Sequence, residues 1–209
     1  FCRQLAEAGL YVIRYDNRDS GLSTKFDKAG VPDMADTINK LMNLQKVTPP
    51  YTIEDMAADA VGLLHALKIK KAHICGMSMG GMIAQALAIR YPERVLSLIS
   101  IYSTTGNPRL PQPKPEIMGL LLTPPPKERQ PFIEFNVNLF KTITGPRFGM
   151  DEQWVRQIMG RAYDRSFYPQ GEARQLVAIL TQPNRQPALK DVKVPTLIVH
   201  GDADPLVSV

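Results

Sequence analysis

Five residues, Gly76-Met77-Ser78-Met79-Gly80, constrain the fold of this chain more than any other segment. They follow a short apolar run, Ala72-His73-Ile74-Cys75, and lead into a stretch from about 79 to 90 with helical spacing, which Pro92 ends. A chain that passes from strand to helix within so few residues must turn sharply. The residue at the turn is then forced into a strained backbone conformation at the top of the sheet. Glycines two positions to either side remove Cβ atoms that would clash there, and Gly76 and Gly80 occupy those positions around Ser78. A lone Gly-x-Ser-x-Gly is weak; its place between a strand and a helix carries the inference.

The remainder of the chain is consistent with such a sheet. Residues 1–8 form the last turns of a helix, with Phe1, Leu5 and Ala8 on one face and Gly9 placed to terminate it. Residues 10–15 are a β-rich run that stops at a loop, 16–21. Residues 23–50 are polar and irregular, with at most a short helix around 36–44. Thr52 and Asp55 make a capping pair for a helix whose apolar positions are Met56, Ala60, Leu63, Leu64 and Leu67. Residues 95–102 are the next strand. Alternating strands and helices predict a parallel sheet with helices on both faces.

From about residue 104 to 190 the character changes. Prolines cluster at 108, 111, 113 and 115 and again at 124–126, strand signals vanish, and helical patterns remain at about 127–141, 151–163 and 171–180. The strand period returns at 195–200 and breaks at Gly201-Asp202-Ala203-Asp204-Pro205. The expected organisation is a first core segment (1–106), a helical cap inserted above the sheet (107–190) and a returning core segment with a strand and turn (191–209).

Composition excludes several classes. With 209 residues and 44% hydrophobic content, the chain can bury one good core and a modest accessory region. The net charge is +5, but the basic residues are scattered. The longest basic cluster, Lys68-Ile69-Lys70-Lys71, is the solvated end of a helix, so no nucleic-acid partner is expected. Two cysteines without paired spacing, Cys2 and Cys75, exclude a disulfide framework and a Cys-rich zinc site and fit a reducing, cytoplasmic compartment. No apolar stretch reaches the length of a membrane span.

Four segments in order resemble the α/β-hydrolase family. Arg14-Tyr15-Asp16-Asn17-Arg18-Asp19-Ser20-Gly21-Leu22-Ser23 resembles its D-x-R-x-x-G-x-S strand-to-loop segment, and residues 76–84 its nucleophile elbow and following helix. Tyr91-Pro92-Glu93-Arg94-Val95 resembles its junction into the next strand, and residues 194–204 the strand that ends in the acid of a catalytic triad. Within the family, residues 161–194 look most like the aclacinomycin methylesterase and haloperoxidase-like esterase group. The resemblance implies that Ser78 is the nucleophile, that the backbone N–H of Met79 donates to an oxyanion, and that Asp204 is the acid, with Asp202 as the alternative and otherwise a turn former. It implies a small-molecule ester as partner and neither cofactor nor metal.

In this fold the triad order is serine, acid, histidine, yet no histidine follows Asp204 and the chain opens on Phe1. The expectation is therefore a chain cut at both ends, lacking the general base and the second oxyanion donor and inactive alone. His65 lies within a helix, His73 at the strand end remote from Ser78, and His200 at the turn after the acid strand. The family's strand order further implies that the strands at 72–75, 95–102 and 196–200 form a contiguous parallel set. The run at 11–15 should stand apart or pair wrongly with the elbow strand. The leading function is hydrolysis of a carboxylic ester, in particular a methyl ester of a bulky hydrophobic molecule, through an acyl-enzyme. Alternatives are perhydrolase chemistry or cleavage of an activated carbon–carbon bond at the same site, and a non-catalytic binding protein on the same scaffold.

Overall fold

A computed structural model describes residues 1–145 and 147–208. Pro146, in the expected cap, and Val209, at the end of the returning core segment, lie outside the described residues. The elements run α1 (Cys2–Glu7), α2 (Met34–Met42), α3 (Ile53–Ala66), β1 (Ala72–Met77), α4 (Met79–Arg90), β2 (Val95–Ile101), α5 (Pro115–Leu122), α6 (Arg129–Ile143), α7 (Glu152–Arg165), α8 (Pro169–Leu180), α9 (Gln186–Leu189) and β3 (Thr196–Val199). The strands form a parallel sheet in the order β1-β2-β3. Met77 pairs with Ile101 and Ile101 with Val199, so all three strands end at one edge of the sheet.

α3 starts where its cap dictates. The Thr52 hydroxyl accepts from the Asp55 N–H at 3.1 Å, while the Asp55 carboxylate accepts from the Thr52 N–H at 2.8 Å. Its buried residues Ile53, Met56, Ala57 and Ala60 join the core against α4, and Leu64 is buried further along the helix. α4 is buried all round from Gly81 to Ala88, because α3 lies on one side and β1 and β2 on the other. Each fully buried Ile, Leu or Met in this core contributes about 1.5–3 kcal/mol. Much of the strands' apolar surface stays open: Met77, Leu96, Leu197, Ile198 and Val199 are exposed, and β3 at the sheet edge is exposed on both faces.

The run at 10–15 is not a strand, which corrects the expectation from its composition. Tyr11, Ile13 and Tyr15 are exposed, and no strand of the sheet pairs with them. β-rich composition gives a strand only where a neighbour supplies the ladder of donors and acceptors. The other three strands are contiguous and parallel, as the resemblance implied.

Two helices were hidden from the sequence. α5 lies inside the proline-rich stretch, with Pro115 in its first turn, where a missing N–H costs nothing. α9 is one short turn before β3. Between β2 and β3, α6 and α7 pack on each other around Phe132, Ile133, Val137 and Val155, with Tyr163 and Phe167 alongside.

Buried charge ties the loop after residue 15 to α8. Asp19 has left-handed backbone (φ 65°) and accepts from Arg174 Nε and Nη2 at 2.7 and 2.9 Å, from the Tyr51 hydroxyl at 2.7 Å and from the Phe26 N–H at 2.8 Å. Both charged side chains are enclosed, at 0% and 1% exposure. Burial alone would raise the Asp19 pKa; the bonds from Arg174, Phe26 and Tyr51 outweigh it and hold the carboxyl below its ordinary value. A second pair, Arg165 with Asp16 at 2.6 Å, sits at the surface. Arg174→Met is expected to destabilise the fold by about 3–5 kcal/mol, because it strands a buried carboxylate. Arg165→Met should cost at most about 1 kcal/mol. Urea denaturation of both variants checks this, and equal losses would contradict it.

Candidate active site

The turn between β1 and α4 is as sharp as the glycine pattern requires. Ser78 adopts φ 50° and ψ −121°, a conformation that costs a non-glycine residue about 1–3 kcal/mol. Its N–H donates to the Ile101 carbonyl at 2.9 Å. Its carbonyl accepts from the N–H groups of Gly81 and Met82 at 2.9 and 3.2 Å and from the Ser103 hydroxyl at 2.8 Å. These bonds hold the strained residue from both sides. Although Ser78 occupies the N-cap position of α4, its hydroxyl does not cap the helix, which leaves Oγ available.

The glycines divide their work differently from the expectation. A Cβ on Gly76 would lie 2.0 Å from the Gly80 carbonyl oxygen, so Gly76 is sterically obligatory. A Cβ on Gly80 would meet nothing within 4 Å. The second close approach falls on Gly81, whose Cβ would lie 2.5 Å from that of Ser103. The side chain at position 80 points away from the strand, so the helix phase moves the steric demand one residue along.

Met79 is the first residue of α4, and its N–H has no acceptor among the described residues. A free N–H at a helix N-terminus beside a presented hydroxyl can bind a developing negative charge.

Asp204 follows β3 at the same sheet edge. One carboxylate oxygen accepts from the N–H groups of Leu206 and Val207 at 2.8 and 2.9 Å, which fixes the side chain. The other lies 3.6 Å from His200 Nε2. Asp202 is exposed in the preceding turn. The three histidines have other surroundings. His200 Nε2 meets the Val207 carbonyl at 2.8 Å, His73 Nδ1 meets Ser97 Oγ at 2.7 Å at the start of β1, and His65 is exposed on α3. Among the described residues no group of histidine, cysteine and carboxylate side chains could hold a metal ion, and no helix is long and apolar enough to cross a membrane.

Sequence reasoning missed the residues that follow β2, between Ser78 and Asp204. Tyr102 has φ 35°, rare for a bulky side chain, and donates its N–H to the Val199 carbonyl at 2.8 Å. Its hydroxyl reaches Met77 Sδ at 3.0 Å; burial, and then the charge of Asp204, raise its pKa. Ser103 holds the elbow carbonyl. The usable signal was topological: ligands of open parallel sheets bind beyond the carboxyl ends of the strands.

A family described as alpha/beta hydrolase fold matches residues 1–209. The chain is 28% identical to the rhodomycin D methylesterase DauP of Streptomyces sp. (strain C5), over 98% of this chain and 69% of that protein. It is 30% identical to a 2-hydroxy-6-oxononadienedioate/2-hydroxy-6-oxononatrienedioate hydrolase of Paraburkholderia phymatum, over 68% of this chain and 49% of that one. Among solved structures, a hydrolase from Pseudomonas aeruginosa PA01 superposes with a TM-score of 0.55 at 22% identity, covering 78% of this chain and 59% of its own.

Proposed function

The chain belongs to the alpha/beta hydrolase fold family, and from that premise we propose that it carries the nucleophile and the acid of a serine esterase. The observation that carries this reading is Ser78, held in left-handed backbone between β1 and α4 with an unspent Met79 N–H beside it. Ser78 Oγ attacks the ester carbonyl carbon as its proton passes to a general base. The Met79 N–H binds the carbonyl oxygen as it becomes an oxyanion. The tetrahedral intermediate expels the alcohol, which takes the proton back, and water then cleaves the acyl-enzyme by the same route. Asp204, already fixed by two backbone N–H groups, orients the base and balances its charge.

His65, His73 and His200 have the surroundings described above, so we assign the base, and the second oxyanion donor, to segments of a longer protein. DauP, of which this chain spans 69%, supports that assignment. The free thiols of Cys2 and Cys75 support a reducing, cytoplasmic setting.

Methylesterase relatives at 26–28% identity over 98% of the chain favour a methyl ester of a bulky hydrophobic molecule. Helices α5 to α8, inserted between β2 and β3, supply apolar surface for a pocket lid, including Trp154, which is exposed. A carbon–carbon bond hydrolase on the same serine is the second reading, favoured by the relative from Paraburkholderia phymatum. The full-length protein is expected to release methanol from methyl esters of bulky hydrophobic acids. Bleaching of a 2-hydroxy-6-oxodienoate chromophore without methanol release would transfer the assignment to the second reading.

A further inference from the structure

Arg185 precedes α9 and is 4% exposed, yet its guanidinium meets no carboxylate among the described residues. Nε donates to Gln85 Oε1 at 3.3 Å, and Nη2 donates to Gln182 Oε1 at 2.8 Å and to the Thr104 carbonyl at 3.0 Å. Nη1 is buried with no acceptor among the described residues. Its backbone N–H donates to the Thr105 carbonyl at 2.8 Å. Burial pushes the guanidinium down to about 10, against a smaller opposing pull from Glu54. A buried cation without an ion partner is a costly way to stabilise a fold. A rigid fork of donors does, however, hold carbonyls and amides from different segments in one fixed geometry.

The segments it holds lie on both sides of the elbow. Thr104 and Thr105 directly follow Ser103, whose hydroxyl donates to the Ser78 carbonyl. Gln85 is on α4, the helix that leaves the elbow, and its Nε2 donates to Ser100 Oγ of β2 at 3.2 Å. Gly81 lies so near Ser103 that a Cβ on it would clash, so segment 103–105 packs closely against the first turn of α4. We propose that Arg185 is a positioning residue for Ser78, acting through segment 103–105 and Gln85. This inference rests on Ser78 being the nucleophile.

The test compares Arg185→Gln, Arg185→Lys and Ser103→Ala in the full-length protein. The readouts are the rate of fluorophosphonate acylation at Ser78, kcat and KM for p-nitrophenyl acetate, and melting temperature. Misplacing a reacting atom by about 1 Å costs on the order of 100-fold. Arg185→Gln should therefore acylate about 10- to 100-fold more slowly with KM within about twofold, and Arg185→Lys should recover part of the loss. Ser103→Ala, which leaves the buried charge intact, should lose about 10-fold, and it decides the matter if Arg185→Gln does not fold. Folded variants that acylate at the wild-type rate, or that raise KM with kcat unchanged, overturn the inference while leaving the nucleophile in place. A wild-type protein that does not label at Ser78 overturns both.

Discussion

Ser78→Ala in the full-length protein is expected to abolish fluorophosphonate labelling and to lower kcat by about a million-fold, with KM little changed. The size of the effect follows from what is removed. Oγ is the atom that forms the acyl-enzyme, and without it only binding and oxyanion stabilisation remain. The substitution is structurally mild. Alanine carries the same Cβ through the left-handed backbone, and the lost hydroxyl does not cap α4. Ser78→Gly provides a second arm: it should be equally inactive yet more stable by about 1 kcal/mol, because glycine relieves the strain at φ 50°. Peptide mapping of the labelled protein reads the result directly. A probe adduct that persists at full intensity in Ser78→Ala would move the nucleophile elsewhere.

Asp204→Asn is expected to lower kcat by about 10⁴-fold, and Asp202→Asn by no more than about a factor of three, if Asp204 is the acid of the triad. The comparison is clean because asparagine keeps an oxygen that can accept from the Leu206 and Val207 N–H groups, so the turn survives and only the charge is lost. Asp202, exposed in the preceding turn, loses a solvated charge and little else. Steady-state kinetics of the two variants on one ester substrate decide the point, and the reverse ranking would make Asp202 the acid.

What the sequence disclosed, it disclosed through local pattern. Gly76, Ser78 and the runs on either side specify a strand–turn–helix because the steric demand acts over five residues, and Thr52 with Asp55 fixes a helix start over four. Signals failed where the deciding partner lies far along the chain. Residues 10–15 have strand composition, but a ladder needs a neighbour that composition cannot supply. Asp19 with Arg174, and Arg185 with Gln85, are separated by 155 and 100 residues, and neither pair leaves a periodic trace. α5 was obscured because prolines punctuate a sequence whether or not a helix begins at one of them. The steric part assigned to Gly80 belongs to Gly81, since a motif written as spacing cannot express the phase of the helix that follows it.

The Asp19–Arg174 pair also sets an order of events during synthesis. β1, α4 and β2 lie within about 30 residues of one another and can dock soon after they are made. The loop around Asp19 cannot settle then, because its guanidinium is encoded 155 residues later. Until α8 is complete, that carboxylate has the Tyr51 hydroxyl and the Phe26 N–H as partners but no cation to offset its burial. An early-made loop thus waits on late-made sequence. Closing so long a loop costs entropy that the finished buried pair helps to offset, so the loop around Asp19 completes its native contacts only once α8 is in place.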